Sequence, residues 1–169
     1  MNITATKLTD IDLMHKACEA TMHGKQSNLT LLKAYSCQHS VIRTQVFFIE
    51  MLQIPTFVSV HLVRHSIGIT HFVTSNREDR GGSAEVNRMT PVNHSFICNA
   101  ESLINMARKR LCGSTHLTTR ETMAGIKDAV SLVDLDLSKF MVRECEYRNG
   151  LCAELRTCGR IWPAGVVTL

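Results

Sequence analysis

A chain of 169 residues with 44% hydrophobic and 20% charged residues is long enough to bury one self-sufficient core. Its net charge of +4, without any run of five cations, is too mild and scattered for a dedicated duplex-binding protein and suits small phosphorylated ligands better. No segment approaches the roughly 20 apolar residues of a membrane span, and no charged-then-apolar leader opens the chain. Seven cysteines, an odd number, do not close a disulfide framework, so a reducing cytoplasmic setting is expected. With three prolines and no low-complexity tract, residues 1–169 read as a single domain ending in a cysteine-rich segment, 143–169.

In chain order, Thr9 is placed to cap a first helix through His23, with Gly24 ending it. Leu29 to Tyr35 is a second apolar stretch that stops at Cys37-Gln38-His39-Ser40. Val41 to Met51, rich in β-branched and aromatic residues, is a strand candidate. Pro55 opens a helix to about His65, Thr70 to Thr74 is a further strand, and Asn76 to Ser83 is a loop around Gly81-Gly82. Ser95 to Leu111 reads as the clearest helix, with Leu103, Ile104, Ala107 and Leu111 on one apolar stripe. Asn99 and Arg110 flank that stripe on one edge, about three turns apart, and Asn105 falls on the opposite side. Thr118 to Val130 and Asp134 to Val142 are two more helices, and Cys145 to Leu169 carries no clear pattern. The expected class is α/β (α+β), a small mixed sheet flanked by helices.

The chemistry concentrates between residues 54 and 77. An apolar run, Ile54 to Val60, precedes Arg64-His65-Ser66-Ile67-Gly68-Ile69-Thr70-His71 and Ser75-Asn76-Arg77. Cations and neutral donors beside an apolar wall match an anionic, planar ligand, with phosphate on the charges and a ring on the wall. His61, Arg64 and His65 fall at i, i+3 and i+4, one face of a helix, while Ser75 and Arg77 form a second phosphate grip. A metal at His61 and His65 is disfavoured, because no acid accompanies them. There is no glycine-flanked nucleophile elbow and no glycine-rich nucleotide loop, so hard chemistry would fall to a cofactor. Cys145, Cys152 and Cys158, with Cys112 as a fourth ligand, have loop-sized separations that zinc tolerates, although free thiols are the simpler reading.

Two blocks, His39-Ser40 through Ile54-Pro55-Thr56-Phe57-Val58 to His61-Leu62-Val63-Arg64-His65 and Ser75-Asn76-Arg77, then Asn99-Ala100-Glu101-Ser102-Leu103 with Asn105, Arg110-Leu111 and Arg120, resemble the flavin-dependent thymidylate synthases. The resemblance covers roughly residues 37 to 120. It implies an α/β subunit in a homotetramer, with FAD and deoxyuridylate held where copies meet and NADPH and methylenetetrahydrofolate as co-substrates. By position, Ser40, Arg64, His65, Asn99 and Asn105 would contact the flavin nucleotide. His61, Arg64, Ser75, Arg77 and Arg110 would contact a pyrimidine deoxynucleotide, with Arg110 the catalytic group that polarises the ring carbonyl. The setting implied is a bacterial or phage-infected cell, and the chain is phage-like in its economy.

Four departures stand out. Ser66 replaces the signature's second arginine, Ile69 an expected serine, and Glu101 a flavin-facing arginine. Only about twenty residues separate Arg77 from Asn99, far fewer than the family norm. The expected activity is one-carbon transfer to C5, methylation or hydroxymethylation, of a pyrimidine deoxynucleotide, first of all dUMP. The alternative is a non-catalytic relative that binds nucleic acid or other proteins through its basic tail, Arg143, Arg148, Arg156 and Arg160.

Overall fold

The computed structural model describes residues 2–82 and 85–159. Residues 160–169, Arg160 among them, lie outside the described residues. Four strands, β1 (Asn2–Lys7), β2 (Val46–Pro55), β3 (Ile69–Val73) and β4 (Pro91–Asn99), form one sheet in the order β1-β2-β4-β3. Every ladder is antiparallel, where a mixed sheet was expected. The sheet buries one face: Phe47, Ile49 and Met51 of β2 alternate with exposed or half-buried neighbours, as do Val92, His94, Phe96 and Cys98 of β4.

That inner face carries the helices. They are α1 (Ile11–Thr21), α2 (Leu31–Ser36), α3 (Thr56–Val63), α4 (Ala100–Arg110), α5 (Leu117–Val133), α6 (Leu135–Phe140) and α7 (Glu144–Tyr147). Helix α5 lies along β1, where Gly125 meets the Ile3 side chain so closely that a Cβ would clash with it. Asp134 is a polar knot in this layer. Its carboxylate accepts from Lys7 Nζ at 2.7 Å, from the buried Tyr35 hydroxyl at 2.8 Å and from Leu137 N at 2.9 Å, the last being the N-cap bond of α6.

Several boundaries differ from the sequence expectation. Asp10, not Thr9, caps α1; the Thr9 hydroxyl is taken by the entry to β2, donating to Thr44 O and accepting from Val46 N. Residues Ser40–Thr44 form a 3-10 turn, so the strand expected from Val41 begins at Val46. The helix expected from Ser95 is a strand up to Asn99, and α4 starts only at Ala100. Phe96 and Cys98 point into the core at period two there, and Asn99 ends the strand by capping the helix, accepting from Ser102 N at 3.0 Å.

Candidate functional site

The segment from His61 to Gly68 runs along α4 from one end to the other. At the C-terminal end, Arg110 Nε donates to His65 Nε2 at 2.8 Å. At the N-terminal end, the Ser102 hydroxyl donates to Ile67 O at 2.9 Å, and Gly68 lies against Asn99. Gly68 has φ +69, and a Cβ there would strike both Ser102 Oγ and Asn99 Nδ2, so only glycine allows this approach. The edge shared by Asn99 and Arg110 is the edge this segment follows. Helix α3, however, ends at Val63: Arg64 is its C-cap and His65 lies just beyond, so the expected helical face of three is replaced by a helix end.

Beside Arg110 opens a pocket of about 290 Å3, lined by His61, Lys109, Arg110, Cys112, Ser114, Thr115, His116 and Glu154. Two of the lining residues, His61 and His116, pack on a buried aromatic ring. Phe57 stands edge-on to His116, with centroids 4.7 Å apart, and to His61 at 5.7 Å, while Arg88 lies over the Phe57 ring at 4.9 Å. His61 Nδ1 bonds the buried Thr119 hydroxyl at 2.9 Å, which fixes its ring. Glu154 reaches the rim from the C-terminal segment and pairs with Lys109 at 3.1 Å.

The charge in this pocket is carried by arginine. Burial, then Arg110 and His71, push the His65 imidazole down to about 4, so it is neutral near pH 7. His61 is lowered by burial and by the surrounding Arg110, Arg64, His116 and Arg88. Burial and Arg64 also lower the Arg110 guanidinium. Cationic groups lowering one another, with the pocket's Glu154 carboxylate paired to Lys109 and not to Arg110, are an arrangement that an anion relieves. Arg64 is exposed and has no hydrogen bond or ion pair among the described residues.

Other expected site residues lie elsewhere. Ser75 and Arg77 follow the far end of β3: Val73 pairs with His94, whereas Ile69 pairs with Cys98 beside Gly68. Four strand steps, roughly 13 Å, therefore separate the two ends of β3 within one chain. Arg77 is held by its own neighbour, donating twice to Asp79 at 2.9 and 2.7 Å, and Ser75 Oγ accepts from Arg77 N. Asn105 is exposed on the opposite side of α4 and accepts from Arg108 Nη1. Ser40 is exposed on the 3-10 turn that flanks the N-terminus of α4. There Glu101, a carboxylate where the resemblance expects a cation, is neutralised by Arg43 through two hydrogen bonds of 2.8 and 3.1 Å.

Cys112, Cys145, Cys152 and Cys158 do line one small crevice beneath the C-terminal segment. All are free thiols, and among the described residues no three histidine, cysteine or acidic groups are arranged to hold a metal ion. The residues that the sequence did not single out are Lys109, His116, Thr119 and Glu154. Of these only Ser114-Thr115-His116, a polar run between two helices, left a readable sign.

No family model and no curated protein sequence matches the chain. Solved structures do match. Thymidylate synthase X (ThyX) from Helicobacter pylori with FAD and dUMP aligns at a TM-score of 0.66 and 12% identity, over 84% of this chain and 99% of that one. A second structure, the flavin-dependent thymidylate synthase ThyX of the same organism complexed with FAD and dUMP, gives 0.69 at 11% identity, over 85% and 100%. The UMP/dUMP methylase PolB from Streptomyces cacaoi bound with 5-Br dUMP gives 0.61 at 12% identity, over 82% and 94%. The chain has the thymidylate synthase X fold.

Proposed function

We propose that the protein binds a pyrimidine deoxynucleotide, dUMP in the first place, in the pocket beside Arg110 and transfers one carbon to C5 of its ring with a flavin cofactor. The observation that carries this reading is the Arg110 guanidinium, half-buried, aimed by His65 and in no ion pair among the described residues, since the one carboxylate of its pocket, Glu154, is paired with Lys109, in a fold whose structural neighbours hold dUMP. A pyrimidine O2 or O4 accepting from Arg110 gains a charge-assisted hydrogen bond that strengthens as negative charge develops on the ring. The His116 ring, backed by Phe57, gives the base a flat wall, and neutral His61 supplies a hydrogen bond rather than a charge.

The residues along this edge of α4 suit FAD in charge. Arg64, toward Arg110, is a cation without a hydrogen bond or ion pair among the described residues; at the N-terminal end Ser40 offers a hydroxyl, and Arg43 cancels the Glu101 carboxylate that would otherwise repel a diphosphate. Asn99 and His65 already use one polar atom each within the chain, leaving Asn99 Nδ2 and His65 Nδ1 for a ligand. A bound flavin supplies reducing equivalents, drawn from NADPH, while methylenetetrahydrofolate brings the carbon; the protein's part is to bind, orient and polarise.

Ser75 and Arg77 enter this reading through a second copy of the chain. They stand at the wrong end of β3 to reach the pocket of their own subunit, and the open face of the sheet carries exposed Leu52, Phe72 and Ile97 for contact between copies. A homotetramer with shared sites is the expected assembly. Titration calorimetry with dUMP and an absorbance scan of the purified protein test the reading together. Saturable dUMP binding and a flavin band between the ultraviolet and the blue are expected. Colourless protein that binds neither dUMP nor added FAD overturns it, and steeply salt-dependent DNA or RNA binding in its place would favour the non-catalytic alternative.

A further inference from the structure

A line of three histidines joins the core of the sheet to Arg110. His94, on β4, is fully buried, and its Nε2 lies 2.9 Å from Nδ1 of His71 on β3. His71 Nε2 lies 2.8 Å from the carbonyl oxygen of His65, and His65 Nε2 accepts from Arg110 Nε at 2.8 Å.

The hydrogen-bond chemistry of this line has one self-consistent solution. The His65 carbonyl only accepts, so His71 Nε2 carries its proton and donates. His94 Nδ1 is buried without a partner. A buried unpaired N–H is costlier than a buried unpaired lone pair, so the His94 proton resides on Nε2 and points at His71 Nδ1. Arg110 Nε is always a donor, so His65 Nε2 is bare and the His65 proton sits on Nδ1. Each bond therefore dictates the next, from His94 to His71 to the His65 backbone. His65 is also held by its own N–H, which donates to Leu62 O at 2.9 Å.

We infer that His65 is a positioning residue: the His94–His71 pair fixes its backbone, and its bare Nε2 sets the plane of the Arg110 guanidinium, leaving both terminal amino groups of Arg110 to meet a ligand. This rests on the reading that Arg110 is the group that meets the nucleotide. It assigns His65 a role through Arg110, separate from any contact His65 makes with a cofactor. The arrangement is preorganised. Arg110 is one of the longest and most flexible side chain types, and a hydrogen bond at Nε removes its rotational freedom before the ligand arrives.

Two measurements decide it. Long-range proton–nitrogen correlation of the histidine rings in the ligand-free protein at pH 7 is expected to show His65 as the Nδ1–H tautomer and His71 and His94 as Nε2–H. A His65 ring protonated at Nε2 overturns the inference, whether or not dUMP binds. The second compares His65→Gln, which retains an acceptor, with His65→Leu, which does not. If dUMP binds the parent, His65→Leu is expected to weaken it about tenfold at unchanged melting temperature and to speed exchange of the Arg110 Nε proton. His65→Gln is expected to recover most of both. Equal affinity in the two variants, or slow Nε exchange surviving in His65→Leu, rejects the positioning role.

Discussion

Arg110 and Arg77 are both arginines that the sequence marks as ligand-facing, and the fold treats them in opposite ways. Arg110 is half-buried at a helix end, its Nε tied to a neutral imidazole, and it is in no ion pair among the described residues, Glu154 being paired with Lys109. Arg77 sits on an exposed turn and is already satisfied by Asp79, two residues on. Only the first is set for an anion before one arrives; the second has to leave a partner. A guanidinium in a motif is therefore a site only if its acceptors have been kept away from it.

The sharpest test of that contrast is truncation of Arg110. Arg110→Ala is expected to weaken dUMP binding on the order of 100-fold, because it removes at least one charge-assisted bond in a partly desolvated pocket. Arg110→Lys is expected to recover little, since a point charge cannot both contact His65 and present a planar fork to a ring. Calorimetry on the two variants checks this, and an Arg110→Ala protein of parental affinity would remove the basis for the contrast.

Acid should weaken the Arg110 side first. His94 has its imidazole held down at about 4 by burial and then by His71, and His65 is similarly at about 4. Both are neutral in the folded chain where the unfolded chain takes up protons near 6.5, so the unfolded state binds more protons below that pH. Stability is thus fully present above about pH 6.5 and is lost as pH falls toward 4, by at most roughly 3 kcal/mol for His94. Urea unfolding at pH 7 and at pH 4.5 measures the loss. His94→Phe, which keeps the packing against Phe96, is expected to lose about 1 kcal/mol at pH 7 and to flatten the acid slope.

How much of this was legible in the sequence differs between the same two regions. The apolar stripe of α4 and the common edge of Asn99 and Arg110 could be read, because helical periodicity is a local property. The strand before α4 could not. Phe96, Cys98 and Ala100 alternate at period two, but they lead into Leu103 and Ile104 with no glycine or proline between, so nothing in the sequence marks the switch of period. The His65–Arg110 contact was also out of reach, since it spans 45 positions and depends on where His71 and His94 meet across β3 and β4. The Arg77–Asp79 pair, by contrast, stands two residues apart in plain view; a motif match draws attention to the arginine and away from the acid beside it.

The exposed region gives a smaller effect of opposite sign. An exposed pair such as Arg77–Asp79 contributes about 0–1 kcal/mol, so Asp79→Asn should raise dUMP affinity by no more than roughly fivefold, while Arg77→Ala lowers it. Mixing Arg77→Ala subunits with Arg110→Ala subunits sharpens the point. If the two arginines serve one site from different copies, a fraction of sites in the mixture regains both, and binding reappears. If it does not, Arg77 serves no shared pocket.

The smallest expected effect is at the pocket rim. Glu154 places a carboxylate among Lys109, Arg110 and His61, on a segment without regular secondary structure whose Leu155 is fully exposed. Among the described residues it is the one acid lining that pocket, and its bond to Lys109 is a half-exposed pair of the weak kind. An arriving phosphate competes with it for Lys109 and is repelled by it at the same time. Glu154→Gln removes both penalties and keeps the side chain's shape, so dUMP affinity should rise two- to threefold, with the gain shrinking at high salt as the local charges are screened. Uridine, which lacks the phosphate, should show no gain. A rise for uridine as well would mean that Glu154 acts by filling space rather than by its charge, and would separate the rim from the electrostatic argument that covers Arg110.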